Sequence, residues 1–451
     1  EEDLKVFERQ SAEYKCEDAK YLVGDRVYNK QYAQLYFMRL HQLSPVILAK
    51  VKELWPGVPV RKILEVEPGV ECAVVGTLYK EAKLKPSVLS EYAKDKSLQA
   101  HLQGTKFVSG DDSLVLEDEG ARMQLGGSRL SPGDFVSGIC VAVKGTETEG
   151  GHFEVSDVCF PGPAPQPRLE AAHAAGAGAG GAPRGEEGKF VAFVSGLNLG
   201  GEKQDSLPLQ LFVDYVTGSL GGGAAEGLAS RITRTVVVGN TLSSAATRAA
   251  GAEAGEGDQA KSGQGKPVSD LKAADLFLTQ LASSMPVDLM PGPSDPTNIS
   301  MPQQPFHRCL LPSMTRYKNV GRVTNPHQFK VDGVSFLGTS GQNIDDIMKY
   351  VDHEDRLAAI VSTIEWCHST PTAPDTVPCF PFADKDPFVT EKECPHVVFV
   401  GNQPKLETGM VSGPQGQKIR VVALPSFAET QTCVLVNTHD LSLHPIHFKS
   451  L

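Results

Sequence analysis

Residues 234–244 read RTVVVGNTLSS, and this stretch decides which fold the sequence predicts. The β-branched run that ends at Gly239 is typical of a strand covered on both faces of a sheet. In layered α/β folds, ligands bind beyond the carboxyl ends of such strands, where a catalytic group is expected. The residues that follow, 240–243 (NTLS), include no acid, base or thiol. The sequence therefore predicts a buried strand whose end lacks the group that catalysis would need.

Length and composition indicate a multidomain globular protein. The chain has 451 residues, enough for roughly two or three domains, because single cores stop growing well below this length. No run approaches the ~20 apolar residues of a membrane span, and the opening residues EEDLKVFERQ do not resemble a signal peptide. We expect an intracellular protein, although the chain begins without methionine and a leading segment could be missing. The net charge of −11 argues against binding nucleic acid by bulk electrostatics.

The nine cysteines are dispersed along the chain and form no CxxC pair. This spacing argues against both a disulfide framework and a zinc module. We interpret the cysteines as small core residues of a protein that folds in a reducing compartment.

Two low-complexity stretches divide the chain. Residues 161–188, rich in Pro, Gly and Ala, are predicted to be a flexible linker, and residues 247–267 a disordered insertion. The predicted organisation is an N-terminal segment, a barrel, the linker and an α/β domain, over 1–56, 57–160, 161–188 and 189–451. Helical spacing of apolar residues over 29–55 predicts one helix in the first segment, with a break near Pro45.

The block at 57–160 alternates apolar and polar residues between turns that carry Gly or Pro-Gly. About five short strands, with glycines at Gly76 and Gly138, predict a small closed barrel of the OB type. The strands are expected within 71–81, 112–120, 121–127, 134–145 and 151–160. Single-strand binding by such a barrel requires basic residues with interleaved aromatic residues. Across 61–160, 16 acids stand against 11 bases, so a structural or protein-binding barrel is favoured, with DNA binding as the alternative.

The block at 189–451 contains near-continuous apolar runs, the pattern of strands buried on both faces. Strands are expected within 189–201, 210–218, 234–240, 286–292, 334–341, 396–402 and 419–427. Helices are expected at 269–284 and at 352–367, the second opening with a capping-box-like pair, Asp352 and Asp355. We predict a layered α/β domain with a sheet between helices.

Five of these strands run into Gly-containing loops: 195–198 (SGLN), 239–243 (GNTLS), 291–295 (PGPSD), 339–343 (TSGQN) and 401–404 (GNQP). The order and spacing of these loops resemble the metal-binding loops of calcineurin-like metallophosphoesterases. The resemblance implies that each loop has lost metal ligands of that family. Gly196 replaces the first aspartate of that family and Asn198 the histidine that follows it. Asn240 stands at the bridging aspartate and Ser243 at the second acid. Ser340 lies about where the family has a lone histidine.

The remaining two loops are altered in the same way. Pro293 and Ser294 fill the Asn-His positions, and Asp295 is the one acid retained. Asn402 and Pro404 replace both histidines of the last loop. A two-metal centre holds its ions about 4 Å apart with a bridging carboxylate and further carboxylate or imidazole ligands. The resemblance therefore implies an inactive site, and a divergent metal-dependent phosphodiesterase is the alternative.

Longer segments of the sequence carry a second and more specific resemblance. FLGTSGQNIDDI (336–347), PVDLMPGPSDPTNISMPQQP (286–305) and ECPHVVFVGNQP (393–404) resemble the B subunits of eukaryotic replicative DNA polymerases, the delta members most of all. The resemblance runs from about Tyr28 to near the C-terminus. It implies a non-catalytic scaffold of nuclear DNA replication and repair, with no cofactor in this chain.

The same resemblance implies partners. The subunit is expected to hold the C-terminal region of the polymerase delta catalytic subunit, which bears an iron–sulfur cluster, and to bind a third, clamp-contacting subunit. Sharing of the subunit with polymerase zeta is also implied. Two proline-bearing segments, 371–376 and 380–388, are interpreted either as exposed recognition surfaces or as loops packed on their own domain.

Overall fold

A computed structural model describes residues 7–25, 27–85, 106–169, 188–200, 205–243 and 265–448. Most of the predicted linker, 170–187, and most of the predicted insertion, 247–264, lie outside these residues. The flexible-linker prediction is wrong for 161–169, which bond to the rest of the chain, as in the hydrogen bond from the N–H of Cys394 to the carbonyl oxygen of Pro165 at 3.1 Å. The insertion prediction is wrong for 265–267, which begin a helix. Within them the chain forms three six-stranded sheets with helices packed around them. Seven of the nine cysteines are buried, as expected of small core residues, and Cys16 and Cys309 are exposed.

The N-terminal segment lays one short strand and one long helix on the rest of the molecule. Strand β1 is Tyr14–Cys16 and helix α1 is Ala33–Leu54. The helix is confirmed, but the predicted break is wrong, because α1 continues through Pro45. Leu43, Ile47 and Val51, on either side of the proline, share one buried face that packs on the barrel. This packing holds the helix together where proline removes a backbone donor.

The barrel is built from the strands β2 Val60–Arg61, β3 Cys72–Glu81, β4 Ser113–Glu117, β5 Arg122–Gly126, β6 Cys140–Glu147 and β7 His152–Cys159. The order β2-β3-β4-β5-β7-β6 closes through an additional β3–β6 pairing. The five predicted strands are thus confirmed. Glycine is needed at Gly76, because a Cβ there would lie 2.6 Å from the carbonyl oxygen of Glu117 on the neighbouring strand.

The remaining strands are β8 Phe190–Val194, β9 Ile232–Val238, β10 Val287–Met290, β11 Val320–Arg322, β12 His327–Val331, β13 Val334–Thr339, β14 Val397–Gln403, β15 Glu407–Ser412, β16 Lys418–Pro425, β17 Thr432–Asn437 and β18 Leu443–His447. The helices among them are α2 Ser206–Thr217, α3 Gly223–Ser230, α4 Gly265–Ser284, α5 Gln342–Tyr350, α6 Arg356–Glu365 and α7 Phe427–Thr430. The sheets run β1-β12-β13-β14-β16-β15 and β11-β10-β9-β8-β17-β18.

These two sheets pack face to face, so the prediction of one sheet between helices is wrong. Their facing side chains form a shared apolar core that includes Phe193, Val236, Phe336, Phe399 and Val434. Helices α2 and α4 cover the outer face of one sheet, and α5, α6 and the barrel cover the other. A strand that has the other sheet on one side and helices or the barrel on the other is therefore buried on both faces. This burial accounts for the apolar runs in the sequence.

One predicted strand, 210–218, is wrong because these residues belong to α2. Asp205 caps that helix by accepting a hydrogen bond from the backbone N–H of Leu207 at 3.0 Å. Leu209, Phe212 and Val216 then bury one helical face. The helices predicted at 269–284 and 352–367 are confirmed as α4 and α6. The capping-box-like pair is wrong, because Asp355 is itself the cap, accepting the N–H of Ala358 at 2.9 Å, and Asp352 lies before the helix.

A buried arginine joins the N-terminal helix, the barrel and the α/β part. Arg39 on α1 is fully buried, and its Nε donates to Oδ2 of Asp386 at 2.7 Å. Its Nη1 donates to the carbonyl oxygens of Gly138 in the barrel and Pro371 in the α/β part, at 2.9 and 2.8 Å. Its Nη2 donates to the carbonyl oxygen of Ala373 at 2.5 Å. The guanidinium thus bonds to elements far apart in the chain.

His368 completes the buried cluster that Arg39 and Asp386 form. Burial lowers the pKa of His368 to about 4, so the ring is neutral near pH 7. Its Nδ1 accepts the backbone N–H of Thr370, which leaves Nε2–H to donate to Asp386 at 2.9 Å. Burial alone would raise the pKa of Asp386, but Arg39 and His368 hold it well below its ordinary value. Asp386 is therefore a buried carboxylate with full hydrogen bonding.

The two proline-bearing segments that were open to two interpretations pack around this cluster. Ala373, Phe380, Phe382 and Phe388 are all buried and share an apolar cluster with Leu35 of α1. The interpretation of these segments as exposed recognition surfaces is therefore wrong for these side chains. They are internal loops: the first presents the carbonyl oxygens of Pro371 and Ala373 to Arg39, and the second presents the carboxylate of Asp386.

We expect Arg39→Met to lower the free energy of unfolding by about 3–5 kcal/mol, because it leaves the Asp386 carboxylate buried without its cation. Urea unfolding followed by circular dichroism measures this change. The matched control is Arg61→Met, which removes a more exposed pair with Glu67 and should cost less than about 1 kcal/mol. Equal losses in the two variants would contradict the role given to Arg39.

Candidate functional site

The strand-end loops that resemble metal-binding loops meet at one edge of the paired sheets. A Cβ on Gly239, after β9, would lie 2.1 Å from Oγ of Ser340, after β13, and 2.9 Å from Cα of Gly292, after β10. The backbone N–H of Asn198, after β8, donates to the carbonyl oxygen of Asn240 at 3.0 Å. The ends of β8, β9, β10 and β13 therefore lie together. The fifth strand at this edge is β14, whose Asn402 donates from Nδ2 to the carbonyl oxygen of Ser340.

Asn240 and Ser294 join the loops after β9 and β10. Oδ1 of Asn240 accepts hydrogen bonds from the backbone N–H and the Oγ of Ser294, at 3.1 and 3.0 Å. Asn240 has a φ of 51°, in the left-handed region that asparagine tolerates better than most residues. The Asn240 side chain is thus a hydrogen-bond acceptor for the neighbouring loop, and it carries no charge.

Asn402 makes the equivalent connection from β14. Its Nδ2 donates to the carbonyl oxygens of Ser340 and Val238, at 2.8 and 3.2 Å. Its Oδ1 has no hydrogen-bond partner among the described residues and lies against Gly196, where a Cβ would be 2.8 Å away. Gly196 itself has a φ of 62°, so both the space and the backbone at this position require glycine.

Asp295, the one acid in these loops, faces backbone amides. Its Oδ1 accepts the N–H of Leu242 at 2.9 Å and its Oδ2 the N–H of Gly292 at 2.8 Å. The side chain is buried, and burial raises its pKa to about 7 although these backbone N–H groups oppose the shift. Both carboxylate oxygens therefore tie two loops together, and a metal ion would have to displace these bonds.

Of the other positions assigned to lost ligands, Asn198 joins this contact through its backbone N–H, and the two prolines lie outside it. Pro293 and Pro404 are exposed at the outer ends of their loops. Asn198 is half-buried, and Ser243 is buried with its backbone N–H bonded to the carbonyl oxygen of Leu199 at 2.9 Å. The structure thus brings Gly196, Asn240, Ser294, Ser340 and Asn402 together and leaves the two prolines outside.

Sequence reasoning missed three amide side chains that complete the cluster. Nδ2 of Asn325 donates to Oε1 of Gln303 at 2.8 Å and to Oε1 of Gln342 at 3.1 Å. Oδ1 of Asn325 accepts the backbone N–H of Ser340, and Nε2 of Gln303 reaches the carbonyl oxygen of Gly292. In the sequence, these three side chains appear only as polar residues beside Pro or Gly, in MPQQP, TNP and SGQN. Uncharged side chains in such loops point to no chemistry on their own.

We call these residues the strand-end amide cluster: Asn240, Ser294, Gln303, Asn325, Ser340, Gln342 and Asn402. The cluster offers amide and hydroxyl groups, and Asp295 beside it is bonded to backbone amides. Two divalent ions need a bridging carboxylate and other anionic or imidazole ligands. The donor set therefore does not fit a two-metal centre. It fits a hydrogen-bonded clamp that holds five strand ends at fixed distances.

A second group of ionisable residues lies where β1 docks on β12. Nδ1 of His327 is 2.9 Å from both carboxylate oxygens of Asp18, and its Nε2 is 3.5 Å from Oδ2 of Asp288. Burial would lower the pKa of His327, but the two carboxylates raise it to about 9. Asp288 also pairs with Arg234 at 2.7 Å. The charges alternate in sign, so the N-terminal segment is held by a buried ion-pair chain.

Cys16 brings a third donor type to this group. Cys16, Asp18 and His327 place ligand-type atoms within 4.8 Å of one another. The Asp18 oxygens, however, also accept the backbone N–H groups of Gln328 and Thr324, at 2.7 and 3.2 Å. With His327 protonated and Asp18 fully bonded, the geometry is that of an ion pair.

Comparison with known protein families gives two matches. Residues 31–158 match a family model described as the DNA polymerase delta subunit OB-fold domain, and residues 191–408 match one described as the B subunit of DNA polymerase alpha/epsilon. Together they cover the barrel and most of the two-sheet part. Among the described residues, no helix is long and apolar enough to cross a membrane.

Similar proteins span nearly the whole chain. A DNA polymerase delta small subunit of Oryza sativa subsp. japonica is 41% identical over 445 residues, 98% of this chain and 99% of that protein. The protein of the same name in Saccharomyces cerevisiae is 31% identical over 463 residues, 93% of this chain and 90% of that one. A DNA polymerase II small subunit of Pyrococcus horikoshii is 23% identical over 242 residues, 51% of this chain and 36% of that one.

The raised pKa of Asp295 has a testable consequence for stability. In the unfolded chain this carboxyl ionises near 3.8, whereas in the folded chain it holds its proton to about pH 7. Between these values the folded state binds more protons, so the stabilising contribution is lost as pH rises, by about 1.4 kcal/mol per pH unit. Asp295→Asn removes this slope. Urea unfolding between pH 4 and pH 8 compares the variant with the wild type.

The control for this series is Asp111→Asn, which changes an exposed aspartate and should follow the wild-type curve. A constant difference between wild type and Asp295→Asn across the whole pH range would contradict the titration of Asp295. It would show a side chain that is ionised throughout.

The His327 ion pair predicts a loosening of β1 at high pH. The pKa of His327 is raised above 6.5 to about 9, so its stabilising contribution is complete below pH 6.5 and is lost as pH rises through 9. We expect amide exchange over residues 14–20 to accelerate over this range beyond the intrinsic increase. Asp18→Asn should show the fast exchange at every pH, whereas Lys15→Gln, at an exposed position, should not. Exchange in Asp18→Asn equal to that of the wild type at pH 6 would contradict the pairing.

Proposed function

Because this chain belongs to the family of DNA polymerase delta small subunits, we propose that it serves its complex as a scaffold with a degenerate phosphoesterase fold. The family makes the chain an accessory subunit of a multi-subunit DNA polymerase with an OB-fold domain in its N-terminal half. The proposal concerns what the two-sheet part does there. The observation that carries it is the strand-end amide cluster, which stands where a hydrolase of this fold would hold metal.

A calcineurin-like origin of the two-sheet part is supported by its layers and its loops. Two sheets pack face to face with helices outside, and the polar loops follow β8, β9, β10, β13 and β14 in the order of that family. The loops converge at one edge of the paired sheets. This is the edge at which a two-metal phosphoesterase would bind its ions.

A non-catalytic role is supported by the charge of that edge. Seven neutral side chains occupy the cluster, and the Asp295 oxygens accept backbone N–H groups. An attacking hydroxide near neutral pH requires a bound metal or a positioned base. The cluster has no such base, whereas its hydrogen bonds cross between five strands and would keep the edge rigid.

We also propose the assembly that the family resemblance implies. The subunit would hold the C-terminal, iron–sulfur-bearing region of the polymerase delta catalytic subunit and bind the third, clamp-contacting subunit, in the nucleus. It needs no cofactor of its own in this proposal, and polymerase zeta would use the same subunit. The acidic balance of the barrel, 16 acids to 11 bases across 61–160, favours a protein-docking barrel over a DNA-binding one.

Co-expression tests the scaffold role. The full chain, produced with the catalytic chain and the third subunit, should elute as one complex in size-exclusion chromatography, and omission of this chain should separate the other two. The purified chain should not hydrolyse bis-p-nitrophenyl phosphate with Mn²⁺ above the protein-free rate. The control is the same preparation of Asp295→Ala. Hydrolysis by the wild type that disappears in Asp295→Ala would replace the scaffold proposal with a divergent enzyme.

A further inference from the structure

A groove that is lined by none of the amide-cluster residues has the character of a ligand site. It has a volume of ≈ 700 Å³ and lies between residues 165–169 and the hairpin that joins β15 to β16. Its lining includes Arg168, Lys418 and His439 together with Leu169, Met410 and Leu441. A volume of this size is in the range of ordinary ligand pockets.

The wall of the groove is held in place although it has no regular secondary structure. Nε2 of Gln166 donates to the carbonyl oxygens of Pro395 and Lys418, at 3.0 and 2.9 Å, and Oε1 of Gln166 accepts the backbone N–H of Lys418 at 2.9 Å. Nδ1 of His396 accepts the N–H of Ser335, so its Nε2–H donates to the carbonyl oxygen of Pro167 at 3.0 Å. The groove is therefore preformed, which lowers the entropic cost of binding.

The charge of the groove is opposite to that of the chain. The chain carries a net charge of −11, yet the groove presents Arg168 and Lys418, both exposed. Within the described residues, neither cationic head has an ion pair or a side-chain hydrogen bond. The one acid in the lining, Asp440, has an oxygen engaged by the backbone N–H of Ser442. An anionic occupant would thus meet two cations that lack a partner.

The rest of the lining distinguishes between classes of anion. In the described part of the chain, no Phe, Tyr or Trp side chain lines the groove, and single-stranded nucleic acids bind by stacking bases on such rings. Instead, Met410 is 43% exposed and stands with Leu169 beside the cations. Aliphatic contacts beside cations suit a peptide in which acidic and aliphatic side chains alternate.

We propose that this groove binds an extended acidic peptide segment of a protein partner, with carboxylates at Arg168 and Lys418 and aliphatic side chains on Met410 and Leu169. The inference goes beyond the scaffold role proposed above and does not depend on it. An extended segment suits the site because its side chains alternate between the two faces of the chain. The partner is defined by its acidic and aliphatic side chains.

Fluorescence anisotropy on the full chain tests the proposal. The probe is a short fluorescein-labelled peptide that alternates glutamate with leucine. We expect binding that weakens with salt, and an affinity at least about tenfold lower in the double variant Arg168→Glu, Lys418→Glu. The matched control is Lys52→Glu, a charge reversal at an exposed position of α1, which should bind as the wild type does. Met410→Glu, which keeps both cations, should also weaken binding.

Three outcomes would overturn the proposal. The first is a wild-type chain that does not bind the peptide, and the second is equal weakening by Lys52→Glu. The third is binding of fluorescein-labelled oligothymidylate, but not of the peptide, that is lost in the double variant. That result would make the groove a nucleic-acid site. Circular dichroism of each variant verifies that the changes at these exposed side chains leave the fold intact.

Discussion

The guanidinium of Arg39 is the contact on which the arrangement of the whole chain depends. It is fully buried, and it bonds at once to Asp386, to Gly138 of the barrel and to two carbonyl oxygens of the α/β part. A buried cation is costly unless it is paired and all its donors are used. The three parts of the chain must therefore meet in one relative placement to satisfy it. Apolar packing is less selective about geometry, whereas this pattern of bonds tolerates little displacement.

The strand-end amide cluster serves the same purpose in the two-sheet part. Its amide and hydroxyl groups bond from one loop to another. These bonds hold the strand ends in register, and Asp295 contributes by accepting backbone N–H groups from two loops. In the scaffold role that we propose, such a rigid edge would keep the partner-binding surfaces at fixed positions. The molecule is thus organised by hydrogen bonds and buried ion pairs at the joints between otherwise apolar layers.

The sequence predicted the elements whose signal is local. The five barrel strands follow from short runs of mixed apolar and polar residues between Gly- or Pro-containing turns, and β8, β9, β10, β13, β14 and β16 follow from continuous apolar runs. It did not predict α2, because LFVDYV is as apolar and β-branched as a buried strand and only packing on a sheet selects the helix. The role of Arg39 was not predicted either, because a single arginine in an amphipathic helix normally faces water. Three members of the cluster, Gln303, Asn325 and Gln342, were also missed, because they lie next to the strand ends only after the chain has folded.

Equilibrium dialysis of the purified full chain against Mn²⁺, with the bound metal determined by atomic absorption, tests whether the strand ends can hold metal. We expect the wild type and Asp295→Ala to retain the same amount of Mn²⁺, because neutral amides and a carboxylate bonded to backbone N–H groups cannot hold a pair of ions. Retention of about two ions per chain that is abolished in Asp295→Ala would contradict this expectation. The strand ends would then be a working metal centre and the cluster its support.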